Sequence, residues 1–209
     1  LNDLGAGIVI RDNFASNIIS KLCTIEGRFF EVKSFSDLVS PKHFFDNDDI
    51  FTSNWKGYSL KETSEYSVRY YLNKRLVESG VAWVKYSDIP KNQNAVPLHK
   101  VLYPEAYGTA TDPNVIGRPF YGEPNSVCSQ TYMVVGYDSQ RHNFSKVECE
   151  NIISYMKTKF FRYLVSIKKK TQHTPRDVFQ FVPLQDWSKP WTDAELYKKY
   201  DLNKDEIAY

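Results

Sequence analysis

The chain has 209 residues, which is enough for one large domain or two small ones with a sizeable core. Aromatic residues make up 15% of it, which argues against a disordered protein. No apolar run approaches the ~20 residues of a membrane-spanning helix, and no segment resembles a signal peptide. Three widely separated cysteines, Cys23, Cys128 and Cys149, favour reduced thiols and a cytoplasmic location.

Positive charge is concentrated in one segment of the chain. Between Arg141 and Arg176 there are nine Lys and Arg residues and two Glu residues, which gives this segment a net charge of +7. Because the whole chain carries +2, the remainder carries −5. This uneven distribution of charge favours a polyanionic partner at one face of the protein. The alternative is that these basic residues only solvate the outer side of an amphipathic helix, and charge alone does not decide between the two.

The first part of the chain predicts short elements of both kinds. Residues 7–11 are rich in β-forming side chains and predict a strand. A helix then begins near Asn13, and Gly27 ends it in the usual C-terminal manner. Residues 29–33 predict another strand, and residues 36–39 predict a short helical turn.

The middle of the chain predicts an irregular segment and then a hairpin. Residues 43–64 are rich in Asp, Asn, Ser and Gly with isolated aromatics, and long irregular segments of this kind are usually functional or disordered. Residues 68–72 and 81–85 predict two strands joined by a turn. Residues 87–95 predict a short helix or turn, and residues 101–103 predict a further strand.

The last part of the chain predicts a loop, a strand and a long helix. Residues 104–126 contain four prolines and three glycines and predict a loop. Residues 131–137 predict a strand. Ser145 and Glu148 then form a capping-box pattern that begins an amphipathic helix extending to Ile167.

The mixture of strands and helices without strict alternation predicts an α+β fold. We expect one domain, residues 1–209, with a mixed or antiparallel sheet packed on the long amphipathic helix. The chain begins at Leu1 instead of methionine and ends within an apparent helix start. We therefore expect a piece of a longer protein, so that a catalytic motif it lacks can lie outside it.

Candidate DNA contacts lie where the predicted long helix ends. Duplex DNA is held chiefly by Lys and Arg contacts to phosphates, whereas Arg, Gln and Asn side chains read base edges in the major groove. Both kinds of side chain occur within nine residues here, and the irregular segment could supply a second arm. The candidates are Lys168, Lys169, Lys170, Gln172, His173 and Arg176, with Trp55, Lys56 and Tyr58 in the second arm and Arg118, Tyr107, Gly108 and Thr109 as weaker candidates. The alternative for Gln172 and His173 is that they satisfy the last carbonyls of the helix.

A catalytic alternative uses two acids and a lysine. Glu31 and Lys33 match the end of a metal-dependent nuclease site, with Asp12 as the upstream acid. Carboxylates there would bind magnesium while the lysine polarises a water molecule. The motif is short, and an alternating Glu-x-Lys pair is also common on strand surfaces.

Other catalytic patterns are missing from the sequence. The four histidines have no zinc-site spacing, and there is no P-loop, G-x-S-x-G or G-x-G-x-x-G. A glycine-rich cofactor loop and an Asn/Asp-Pro-Pro-aromatic tetrapeptide, expected for methyl transfer to a base, do not occur either. We therefore expect this chain to be non-catalytic and to hold no metal or cofactor. A further alternative is a protein-interaction module that docks through the aromatic tail at Trp187 and Trp191.

Several segments together resemble a known family. They are residues 8–13 (IVIRDN), 117–120 (GRPF), 154–162 (SYMKTKFFR), 171–173 (TQH), 182–193 (VPLQDWSKPWTD) and 196–200 (LYKKY). These resemble the region that follows the methylase domain in bacterial adenine-specific DNA methyltransferases of restriction-modification systems, the type with a TaqI-like C-terminal specificity domain. The resemblance is densest after residue 117 and thin between residues 43 and 100.

The resemblance implies a division of labour within a longer protein. Its methylase domain would bind S-adenosylmethionine and act on an adenine flipped out of the duplex. The present chain would be the target-recognition domain, with double-stranded DNA and the methylase domain as partners. It lacks every methyl-transfer motif, so catalysis is not carried over to it.

Overall fold

The fold combines α-helices with two small β-sheets. This computed structural model describes residues 13–27, 32–108, 111–136 and 144–208. The helices within these ranges are α1 (Asn13–Glu26), α2 (Lys146–Met156), α3 (Lys159–Lys168), α4 (Asp193–Lys199) and α5 (Lys204–Ala208). The strands are β1 (Val68–Tyr71), β2 (Val81–Val84), β3 (Lys100–Pro104), β4 (Phe120–Gly122), β5 (Ser126–Cys128) and β6 (Tyr132–Val135). The predicted α+β class is confirmed.

The strands of the described residues form two three-stranded sheets. Sheet A has the order β2-β1-β5 and is mixed, because β1 runs antiparallel to β2 and parallel to β5. Sheet B has the order β4-β3-β6 and is antiparallel throughout. The predicted hairpin of β1 and β2 is confirmed. The prediction that residues 104–126 form only a loop was wrong, because β4 lies inside that segment and β5 begins at its end.

Sheet B lies between two hydrophobic cores. Val101 and Tyr103 belong to a core shared with α1, α2 and α3, whereas Leu102 belongs to a second core shared with sheet A. This division follows from the strand geometry, since successive side chains of a strand point to opposite faces. Strand β3 is therefore buried on both faces.

The predicted long helix is two helices. The capping box is confirmed, because Ser145 N donates to Glu148 Oε2 (2.7 Å) and Glu148 N donates to Ser145 Oγ (3.2 Å). The prediction of one helix to Ile167 was wrong, because Thr158 has extended backbone angles and caps a new helix by accepting from Phe161 N (3.1 Å).

Asp193, at the start of α4, completes the new helix start. Its carboxylate accepts hydrogen bonds from the backbone N–H groups of Lys159 (3.1 Å) and Phe160 (2.9 Å). A negative charge at this position also compensates the positive end of the α3 dipole. The tail of the chain therefore fixes where α3 begins.

Asp193→Ala is expected to lower the free energy of unfolding by about 1–2 kcal/mol, the usual cost of a lost helix cap. Urea denaturation followed by circular dichroism measures this loss. Asp48→Ala is the matched control, since Asp48 is exposed in a loop with no described side-chain partner. Equal stability of the two variants would contradict the capping role of Asp193.

The remaining predicted elements have mixed outcomes. Helix α1 ends at Gly27 as predicted, with a φ of 89° and Gly27 N donating to Cys23 O (3.0 Å). A 3₁₀ turn at Phe35–Leu38 corresponds to the predicted turn, and residues 43–64 form neither helix nor strand. The predicted strand at 7–11 and most of the one at 29–33 lie outside the described residues. None of the described helices has the length and apolar character of a membrane span.

Candidate nucleic-acid interface

Loop 169–175, which follows α3, is held against the segment that follows β3. Thr174 N donates to Glu105 O, and Tyr107 N donates to Gln172 O, both at 2.8 Å. The buried hydroxyl of Tyr103 donates to Thr174 O, also at 2.8 Å. Three hydrogen bonds between main chain or core groups therefore fix the backbone of this loop on the end of sheet B.

Lys169 is an internal anchor of this loop. Its side chain is buried, with the residue only 2% exposed. The ammonium donates to Tyr107 O and Val115 O and to Thr174 Oγ1 (2.9 Å). Burial lowers the pKa of Lys169 because desolvation disfavours the charged form. The prediction that Lys169 contacts DNA is therefore corrected: it holds the loop in place from within.

Lys168 and Arg176 have acidic neighbours. The Lys168 ammonium donates to Gln180 Oε1 (2.6 Å) and lies 3.7 Å from an Asp177 carboxylate oxygen. The Arg176 guanidinium lies 3.8 Å from Asp37 and remains about half exposed. Nearby carboxylates partly neutralise both charges. Lys168 and Arg176 therefore attract a polyanion less strongly than unpaired cations would.

His173 is bound to a buried acid. Its Nδ1 lies 2.9 Å from Glu105 Oε2, and the Lys42 ammonium lies 3.1 Å from the other Glu105 carboxylate oxygen. The end of α3 is instead closed by Lys169 N, which donates to Val165 O (3.0 Å). His173 therefore does not cap α3. Glu105 was not among the sequence candidates, and nothing in its local sequence distinguishes it from a surface acid.

Lys170 and Gln172 face outward from the anchored loop. Both are exposed, and neither side chain has a hydrogen-bond or ion-pair partner among the described residues. The alternative in which Gln172 satisfies the last carbonyls of α3 is thus not the arrangement in the structure. A fixed backbone with two unengaged polar side chains is a geometry suited to contacting a partner.

Arg118 lies close to the same loop. Gly117, the residue before it, has a φ of 69° and packs so closely that an added Cβ would lie 3.0 Å from the Tyr107 ring. Tyr107 in turn pairs with Gln172 through its backbone. Arg118 is exposed and has no ion-pair partner among the described side chains. Gly108 is part of this segment, and Thr109 lies outside the described residues.

The second predicted arm is mostly structural. The Trp55 ring packs on Phe51 (5.1 Å between centroids) and Tyr70 (5.7 Å), and Tyr58 packs on Tyr70 as well (6.3 Å). These contacts place Trp55 and Tyr58 against the second core, whereas Lys56 is exposed. The aromatic rings are therefore committed to the fold, and Lys56 alone of the three projects outward.

Hydrogen bonds connect this arm to loop 169–175. Gln130 N donates to Phe51 O (3.1 Å), and the Gln130 amide donates to Ser53 Oγ (3.0 Å). The next residue, Thr131, accepts from Glu105 N (2.8 Å). A series of hydrogen bonds through residues 130–131 and Glu105 thus links residues 51–53, next to the second arm, to loop 169–175.

The aromatic tail packs on its own chain. Trp191 is 9% exposed, and its indole N–H donates to Asp186 O (2.8 Å). Trp187 packs on Phe35 (6.2 Å) and Tyr155 (5.7 Å). Both indoles therefore take part in packing within the fold, and docking of a partner through Trp187 and Trp191 stays a prediction.

The nuclease alternative falls on residues that the structure does not describe. Asp12 and Glu31 lie outside the described ranges, and Lys33 is exposed. Within those ranges no group of three or more His, Cys, Asp or Glu side chains could hold a metal ion.

Comparison with known proteins gives no match. No family model matches the chain, and no curated protein is significantly similar to it.

Proposed function

We propose that this chain recognises a specific sequence in double-stranded DNA. The observation that carries the proposal is the anchored loop 169–175, which presents Lys170 and Gln172 outward beside Arg118. An anchored backbone loses little conformational freedom on binding, so more of the interaction energy appears as affinity.

The exposed side chains have the chemistry for both parts of DNA recognition. Lys170 and Arg118 are cations suited to phosphate oxygens, which set the register of a protein on the duplex. Gln172 has an amide that can bond in a bidentate manner to the N6 and N7 positions of adenine. Arg176 and His173 border this surface, and Lys56 can extend it along the duplex.

The family resemblance supplies the wider role. In this proposal the chain is the target-recognition domain of a bacterial adenine-specific DNA methyltransferase or restriction-modification enzyme. A separate methylase domain would bind S-adenosylmethionine and transfer the methyl group, and the protein would act in the cytoplasm. The present chain contributes the choice of site.

The double variant Lys170→Ala/Arg118→Ala is expected to weaken duplex binding about tenfold on all sequences. It is also expected to reduce the slope of log affinity against log salt by about 0.9 for each phosphate that the protein no longer neutralises. Fluorescence anisotropy with a randomised duplex pool, from about 50 to about 200 mM salt, measures both quantities. Lys91→Ala is the matched control, because Lys91 is exposed and lies outside loop 169–175 and the segment around Arg118.

Gln172 is tested separately, because its role concerns preference and not general affinity. Selection of bound duplexes from the random pool should give a consensus for the full-length protein. Gln172→Ala should relax that consensus at one base pair. The free-energy discrimination against other bases at that pair should fall by about 1–3 kcal/mol. Binding without salt dependence, or no binding to any duplex, would refute the proposed function.

A further inference from the structure

A cavity of about 400 Å³ opens between the two sheets, at the end of sheet B where β3 stops. Strands β1 and β3 end there, and β2, β4 and β6 begin there. Its lining residues are Tyr71, Lys74, Ser79, Gly80, Val81, Pro104, Arg118, Phe120 and Tyr132. The volume lies within the range of small-molecule sites. Among the sequence candidates for DNA binding that the structure describes, only Arg118 belongs to it.

Three aromatic rings form one wall of the cavity. Phe120 lies between Tyr71 (5.2 Å between centroids) and Tyr132 (5.3 Å), edge to face with both. The two hydroxyls are engaged, because Tyr71 donates to the Glu123 carboxylate and Tyr132 donates to Leu72 O (3.5 Å). All three residues remain partly exposed, so the rings are oriented by the fold but not covered by it.

The charged residues in the lining are both cations. Lys74 and Arg118 are exposed and have no ion-pair partner among the described residues, and no acid lines the cavity. The nearby Glu123 is neutralised by Arg69, whose Nε lies 2.6 Å from its carboxylate. The cavity therefore combines an aromatic wall with a net positive rim.

We propose that this cavity binds a nucleotide. Its base would stack on the Phe120 ring, with Tyr71 and Tyr132 beside it, and its phosphate would contact Lys74 and Arg118. Aromatic side chains accept any base in this way because every base has a π-face. The same chemistry fits two sources: a free mononucleotide, or an unpaired nucleotide within a nucleic-acid strand. The cavity shares Arg118 with the proposed DNA surface but includes neither Gln172 nor loop 169–175, so nucleotide binding can be tested separately from duplex recognition.

The first experiment compares AMP with adenosine, which differ by the phosphate. Titrations are followed by NMR shifts of the backbone amides and by calorimetry. We expect saturable AMP binding with shifts at Gly80, Val81 and Phe120. Phe120→Leu should weaken AMP and adenosine alike, by about tenfold, because stacking is lost for both.

The charge variants give the opposite pattern. Lys74→Gln/Arg118→Gln should weaken AMP by about tenfold and leave adenosine unchanged, whereas the exposed control Lys91→Gln should change neither. These charge variants lie on the surface, so the test does not depend on the folding of Phe120→Leu. No saturable AMP binding, or shifts confined to other residues, would overturn the proposal.

A second arm distinguishes the two sources. Affinity is compared for a fully paired duplex and the same duplex with one bulged nucleotide. A preference for the bulged duplex that is lost in Phe120→Leu supports an unpaired nucleotide within a strand. AMP binding without such a preference supports a free nucleotide. Absence of any duplex binding would refute the proposed function and leave the AMP result to decide this inference.

Discussion

Lys169→Ala is expected to lower the free energy of unfolding by about 3 kcal/mol, because truncation removes a buried stem and leaves acceptors unpaired. The acceptors are Tyr107 O, Val115 O and Thr174 Oγ1, which no longer meet a donor in the variant. The variant also removes a buried charge and its desolvation penalty, which offsets part of this loss. The loss of stability is therefore smaller than the sum of the three hydrogen bonds.

Lys169→Met separates packing from hydrogen bonding. Methionine keeps most of the apolar stem, so its loss should be smaller than that of alanine, about 1–2 kcal/mol. Urea denaturation at neutral pH measures both variants, with Lys170→Ala and Lys170→Met as matched controls on the adjacent exposed lysine. If Lys169→Ala and Lys170→Ala unfold at the same urea concentration, the anchoring role of Lys169 is wrong.

The same substitution has a local signature. Loop 169–175 should exchange its amide hydrogens faster in Lys169→Met, first at Thr174 and Tyr107, since local opening follows the loss of anchoring contacts. Under the proposed function, duplex affinity should fall as well, because Gln172 is no longer held in place. Unchanged exchange at both amides would show that backbone pairing alone holds the loop.

The three consecutive lysines have different environments that could not be predicted from the sequence. The local sequence does not distinguish Lys168, Lys169 and Lys170, because each of them is a favourable residue at the solvated C-terminal end of a helix. Their roles differ because carbonyls from residues 107 and 115, distant in sequence, surround only Lys169. Burial at a helix exit depends on the neighbouring loop, which periodicity does not describe.

The helix break at Thr158 has a similar cause. Apolar spacing is continuous across it, because Met156 and Phe160 both enter the same core. A local reading therefore predicts one helix. The partner that favours a new helix start is Asp193, which lies 35 positions beyond Thr158. In contrast, the Ser145 capping box was predictable because all its groups lie within one turn.

Strand prediction succeeded where the chain itself supplied the pattern. The hairpin of β1 and β2 has adjacent strands of four residues each and a glycine in the connection. Strands β4 and β5 have three residues each, too few for a recognisable alternation. The candidate cavity was missed for the same reason, because β4 supplies Phe120 and brings it beside Tyr71 and Tyr132.

Lys100, at the start of β3, gives the second large effect. It is 2% exposed, and its ammonium donates to Val96 O (3.3 Å), Glu123 O (3.3 Å) and Ser126 O (3.1 Å). Burial lowers the pKa of Lys100 to about 8 from its ordinary 10.5, because the ammonium loses its hydration. Above pH 8 the folded protein releases this proton while the unfolded chain retains it up to about pH 10.5.

Stability from Lys100 therefore rises with pH across this window, since the unfolded state binds more protons there. The contribution increases by about 2 kcal/mol between pH 7 and pH 9.5. Two buried thiols act in the opposite direction. Burial raises the pKa of Cys128 and raises that of Cys149 to about 12, so their contribution falls once the unfolded thiols ionise above about pH 9.

Because these effects oppose each other, the decisive quantity is the difference between wild type and Lys100→Met at each pH. Methionine removes the titration while keeping the buried stem, and Val96 O retains a hydrogen bond from Asn125 N (2.8 Å). Relative to the variant, wild type should gain about 2 kcal/mol between pH 7 and pH 9.5 in urea denaturation. The thiol contributions are present in both proteins and largely cancel. For the control Lys91→Met, on an exposed lysine, the difference in unfolding free energy from wild type should not change with pH. If the difference for Lys100→Met does not change with pH either, Lys100 titrates as it does in water.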